Sequence, residues 1–164
     1  MKFAIEQRFA ADVDSVARAF ADPALYAAMV GMPKLTDPDV LHHDVEGEIV
    51  HLKVRFRFGG ELAPAARAVI DPDRLTWVEH ATHDLGTHTA RFTMQADHYH
   101  DRFRCSGSYR FEPIDDSSCR RIGEAELKVK ALLVGSAVES AIVSGLKEHL
   151  VDEVPVVEAF LRER

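Results

Sequence analysis

The 164-residue sequence predicts an α+β fold, an antiparallel sheet followed by a long C-terminal helix, on three observations. First, apolar residues alternate over Val50–Phe58: Val50, Leu52, Val54, Phe56 and Phe58 share one side, while His51, Lys53, Arg55 and Arg57 share the other. That is the mark of a strand with one wet face. The same period of two recurs at Ala90, Phe92, Met94 and Ala96, at Phe103, Cys105, Gly107, Tyr109 and Phe111, and at Gly123, Ala125, Leu127 and Val129. Second, the chain ends on a helical period: Val138, Ala141, Ile142, Gly145, His149 and Val157 recur at near-helical spacing. Third, no repeat or Pro/Gly/Ser-rich linker divides the chain, so residues 1–164 are expected to form a single domain.

The elements follow in order. "KFAIEQRF" reads as a first strand with Phe3, Ile5 and Phe9 in one parity. Asp12 can cap a short helix whose Val13, Val16, Ala17 and Phe20 share a face, and Asp22-Pro23 opens a second that stops at Gly31. After the Val50–Phe58 strand, Gly59-Gly60 breaks the chain, and the alanines of "PAARAVI" at Pro64 to Ile70 favour a short helix. Ser136 and Glu139 have the spacing of a capping box. From there a helix to Glu163 spans on the order of 40 Å, about the length of a 12-residue strand. Pro155 removes one backbone hydrogen bond from it, so a kink or an end is expected there.

Composition narrows the function classes. With 20 basic against 27 acidic residues, the formal charge of -7 repels a phosphate backbone, so no nucleic acid is expected as a partner. Met1 to Phe9 lacks the apolar run of a signal peptide or a membrane span, and a cytoplasmic protein is expected. If "PIDDSS" turns a hairpin, Cys105 falls opposite a residue near Glu126 rather than Cys119, so two buried free thiols are expected.

The order strand, two short helices, antiparallel meander, long helix resembles the START-like superfamily (SRPBCC, helix-grip, polyketide cyclase/Bet v-like). "LTWVEHATHD" at Leu75 to Asp84 and "ALLVGSAVESAIVSGLKEHL" at Ala131 to Leu150 are similar to a bacterial domain-of-unknown-function branch of it. The resemblance implies a helix-grip fold, with a curved antiparallel sheet of about seven strands wrapped around the C-terminal helix. It also implies an apolar small-molecule cavity between sheet and helix, and names no catalytic residue.

The residues support such a cavity. Ala90, Ala96, Cys105, Gly107, Gly123 and Ala125 are small and inward in parity, with Gly145 expected opposite them; the competing reading is that the glycines only let the sheet bend and the helix approach. Trp77 suits the dry face, which turns Glu79, Ala81 and His83 inward and leaves Val78 and His80 outside. A four-residue loop, Asp84 to Thr87, then sets His83 opposite His88, so "HATHDLGTH" reads as a hairpin end. Two histidines and a loop aspartate are too few for zinc, and neither metal nor cofactor is expected.

The expected ligand-binding residues are Trp77, Phe92, Met94, Phe103 and Tyr109 as apolar wall, and Glu79, Arg121 and His149 as polar groups. Glu79 facing an apolar interior must be paired or have a raised pKa. The leading reading is binding or carriage of an apolar small molecule without catalysis, by a monomer or homodimer. The others are a cyclase or dehydratase acting on a polyketide-like substrate, and a protein-interaction module of the same fold.

Overall fold

The computed structural model describes residues 1–164 and has the predicted architecture. Seven antiparallel strands form one sheet: β1 (Lys2–Phe9), β2 (Leu35–Glu46), β3 (Ile49–Phe58), β4 (Thr76–Asp84), β5 (Thr89–Ala96), β6 (Phe103–Asp115) and β7 (Ser118–Val129). Their order is β1-β7-β6-β5-β4-β3-β2, so β2 to β7 run as a meander and β1 joins at the far edge beside β7. Between β1 and β2 lie α1 (Val13–Phe20) and α2 (Pro23–Ala28); α3 (Pro64–Arg67) precedes β4, and α4 (Gly135–Arg162) closes the chain.

Local signals place the short helices. The Asp12 carboxylate accepts from the Ser15 backbone N–H at α1, and that of Asp22 accepts from Ala24 at α2, where Pro23 occupies the first turn. α1 buries Val16, Ala17, Ala19 and Phe20. α4 presents a stripe of Val138, Ile142, Leu146, His149, Glu153 and Val157 to the concave face, the i, i+3/i+4 spacing of one helix surface.

Several elements depart from the expectations. β2 carries no clean alternation; it is an edge strand interrupted by Pro38 and by register shifts against β3, the irregularity that edges tolerate. α3 is a single turn ending at Arg67, short of Ile70. α4 starts at Gly135 with no side-chain cap. Glu139 does not complete a capping box but accepts from the Val129 backbone N–H (2.8 Å) and the N-terminal ammonium (3.1 Å), tying the adjoining ends of β1 and β7 to the helix. Pro155 does not end α4, which continues to Arg162; the carbonyl deprived of its donor belongs to Val151, on the exposed side. Cys105 and Cys119 are buried and unbridged, opposite Leu127 and Phe9 respectively.

The β4–β5 hairpin is shifted from the expected register. Asp84 pairs with Thr89 and His83 with Ala90, so the loop is Leu85 to His88. His88 takes a left-handed backbone (φ 52°) that removes it from strand parity. Its imidazole lies 3.5 Å from Asp14 of α1, while His83 is buried in the sheet's inner face, so the two do not face one another. Val78 is buried although it points to the outer face, where it is flanked across the sheet by Arg55 and Gln95. The long stems of such side chains cover apolar surface.

Candidate functional site

Between the concave sheet and α4 lies a narrow, partly open cavity of about 50 Å³, bordered by 15 residues of which 11 are hydrophobic. Of the expected residues, Glu79, Phe92, Met94, Tyr109, Arg121 and His149 border it. Trp77 and Phe103 do not: they stack on each other (centroids 5.9 Å apart, 20° between planes) elsewhere in the core. The rest of the wall comes from elements near the chain start and from the helix, including Phe20 of α1, Tyr26 of α2, Leu35 of β2, Phe56 of β3 and Leu146 of α4. Grooves on the convex face, such as that bounded by Arg104, Ser106, Glu126 and Lys128, are more open and are lined mainly by polar and charged residues.

The small residues do not create this space. A Cβ on Gly107 would sit 2.7 Å from Phe92, and one on Gly123 2.6 Å from Tyr109, so these glycines let two aromatic rings lie flat on the sheet. The rings then stack on each other at 5.1 Å and form one wall of the cavity. Gly145 does not face them either; a Cβ there would meet the Phe58 ring at 2.7 Å, so it admits close helix–strand contact at the other side of the sheet.

One end of the cavity is a buried polar cluster. Gln7 and Arg121 sit opposite each other in the β1–β7 register, both on the inner face. Arg121 Nη1 donates to Glu153 Oε1 (2.7 Å) and to Gln7 Oε1 (3.1 Å). Gln7 Nε2 donates to the same Glu153 oxygen (2.8 Å) and to the Leu150 carbonyl. The guanidinium carbon lies 3.6 Å from the Tyr109 ring centroid and 3.8 Å from that of Phe20, a cation–π arrangement in a desolvated setting. His149 Nε2 is 3.6 Å from Glu153 Oε2, beyond hydrogen-bonding distance, and burial holds its pKa below the usual imidazole value. Buried Arg121 Nε and His149 Nδ1 have no hydrogen-bond partner.

Glu79 stands apart from this network. Strand β4 directs it inward between Val54 of β3 and Met94 of β5, its neighbours across the sheet. Burial is the main cause that raises its pKa to about 7; Arg121 acts in the opposite direction and Glu153 adds to the rise. Part of its surface faces the cavity, which leaves it half-buried rather than fully covered. Desolvation likewise raises the Tyr26 and Tyr109 phenols well above their ordinary range, and the Tyr26 hydroxyl donates to the Phe20 carbonyl (3.1 Å).

The polar residues that the sequence reading did not name are Gln7 and Glu153. Both carried a signal: Gln7 shares the parity of Phe3, Ile5 and Phe9, and Glu153 follows His149 by four residues on the inward helical face. An arginine turned inward demands a carboxylate, and Glu153 is the one on that face.

A curved antiparallel sheet gripping a long helix around a mostly apolar cavity is the helix-grip fold, and known structures share that fold at low sequence identity. TTHA0849 from Thermus thermophilus aligns with a TM-score of 0.69 at 15% identity, over 99% of this chain and 98% of that one. The Zhui aromatase/cyclase from Streptomyces sp. R1128 aligns at 0.67 and 13% identity (100% and 94%), and norcoclaurine synthase from Thalictrum flavum at 0.65 and 16% (100% and 87%). The chain belongs to the family described as Protein of unknown function (DUF2505), whose sequence profile matches residues 4–161. No curated protein matches it in sequence. No helix is long and apolar enough to cross a membrane.

Proposed function

We propose that the protein binds a small, largely apolar molecule between the sheet and α4, with Glu79 as the polar group that orients it. The observation that carries this reading is a carboxyl group with no hydrogen-bond partner, bordering a cavity whose other walls are mainly apolar. Holding a carboxyl there is costly unless something polar meets it. The cavity as it stands has room for only a few waters, whereas even a benzene-sized guest needs roughly 150 Å³. Binding therefore requires the walls to part, and Met29 and Met94, both bordering the cavity, have the unbranched side chains that re-pack most readily.

The same carboxyl supports a second reading. A pKa of about 7 lets Glu79 both give and take a proton near neutral pH, which suits a general acid/base in a cyclisation or dehydration. The name of the Zhui aromatase/cyclase, with its shared fold, is compatible with such chemistry. Turnover of a bound ligand, lost in Glu79→Gln, separates enzyme from binder.

Binding is tested by native mass spectrometry for a co-purifying molecule and by methyl NMR of methionine-labelled protein titrated with phenols, aromatic alcohols and fatty acids. The Met29 and Met94 signals should move saturably with at least one class, while Met1, exposed at the terminus, stays in place. Leu146→Phe fills part of the space and should weaken that binding about tenfold. A cavity that no class enters up to its solubility limit rejects the proposal.

A further inference from the structure

Resting on that reading of the cavity, we infer that its preferred ligand carries an ammonium group on an aromatic or branched apolar body. Arg121 and Glu153 are joined at 2.7 Å and cancel each other. His149, beside them on α4, is held neutral by burial. The remaining titratable groups that bear on Glu79 are Tyr26 from α2 and Tyr109 and Cys105 from β6, all kept protonated by desolvation. β3 and β5 flank it with Val54 and Met94, which carry no charge. Ionised Glu79 is thus the one uncompensated charge at the cavity.

The surroundings favour a cation a second time. Phe3, Phe56 and Phe92 border the same space, and the negative faces of aromatic rings attract ammonium groups most strongly where water is excluded. An anionic ligand would instead meet two carboxylates and a guanidinium already neutralised. A neutral ligand fits the walls but leaves the charge of Glu79 unanswered. Binding of an ammonium must hold Glu79 in its ionised form, so it releases protons when it occurs near neutral pH, and affinity falls as the solution is acidified below pH 7.

The test compares benzylamine, benzyl alcohol and benzoate on the full-length protein at pH 8, by methyl NMR and calorimetry. Benzylamine is cationic at that pH, and the three share one ring. We expect benzylamine to bind at least about tenfold more tightly than benzyl alcohol, with benzoate weakest. The cation-to-alcohol ratio should shrink on going to pH 5.5 and collapse towards one in Glu79→Gln. Calorimetry at pH 7 should show proton release in buffers of different ionisation enthalpy. Equal affinities for amine and alcohol, or a ratio that survives in Glu79→Gln, overturn the ammonium inference and leave the cavity reading standing. If none of the three moves the Met29 or Met94 signals, the ammonium inference falls, and the cavity reading is decided by the phenol and fatty-acid titrations.

Discussion

Replacing Glu153 with alanine is expected to destabilise the fold by about 3–5 kcal/mol, because it leaves the buried Arg121 guanidinium without its carboxylate. The side chain of Arg121 cannot escape to water: it is wedged over the Tyr109 and Phe20 rings, and its nearest hydrogen-bonding neighbour besides Glu153 is Gln7. Gln7 Nε2 loses a partner in the same step. Glu153→Gln keeps the shape and an acceptor, so it should cost less than Glu153→Ala. The double replacement Arg121→Met with Glu153→Leu should cost well below the sum of its single variants, since removing both charges removes the desolvation burden that each leaves behind alone. Urea denaturation at pH 7 measures all of these. Additive single variants, or a loss under about 1 kcal/mol for Glu153→Ala, would mean that the cluster does not hold α4 to the β1 edge of the sheet.

The parts of the fold readable from sequence were those where one face is uniformly dry. β3, β5, β6 and β7 alternate because the sheet packs against α4 on one side only, and α1 and α2 announce themselves through Asp12 and Asp22-Pro23. β2 escaped because an edge strand need not alternate and tolerates Pro38. The hairpin register slipped because parity was carried through His88, where a left-handed backbone ends the strand pattern. The cavity was legible by parity for Glu79, Phe92, Met94, Tyr109 and Arg121, all on β4 to β7. Parity says nothing about position along a strand, which is why Trp77 and Phe103 share the inner face yet stack away from the cavity. Nor can one strand's pattern reveal contributions from α1, α2 and β2, which reach the site only through tertiary packing. Small residues on the inner face do not by themselves mark a cavity, because the space opened by Gly107 and Gly123 is taken by the nearest aromatic rings.

Stability should depend on pH through two opposed buried titrations. Glu79 has its pKa raised from 4.5 to about 7. Its contribution is full below pH 4.5 and is lost as the pH rises through 7, because over that range the folded state holds a proton that the unfolded chain releases. His83 is the reverse: burial first, and then Arg121, lower its pKa from 6.5 to about 4. The unfolded chain therefore takes up a proton below pH 6.5 that the folded state refuses, and stability is lost as the pH falls from 6.5 to 4. His149 and His80 are shifted in the same direction as His83. Between pH 4.5 and 6.5 each fully expressed titration changes stability by about 1.4 kcal/mol per pH unit. The histidines outnumber the single glutamate, so wild-type stability should rise gently with pH across this window. Lowered carboxylates such as Asp14 and Glu112 act mainly below it. Urea denaturation at half-unit steps from pH 4.5 to 8 should show a steeper rise for Glu79→Gln, and a slope that flattens or turns negative for His83→Gln. Above pH 7 the profiles of wild type and His83→Gln should run parallel, since His83 is then largely neutral in the folded and unfolded states alike. Profiles parallel over the whole range in all three proteins would show that Glu79 and His83 titrate as solvated groups, and the desolvated setting of both would have to be abandoned.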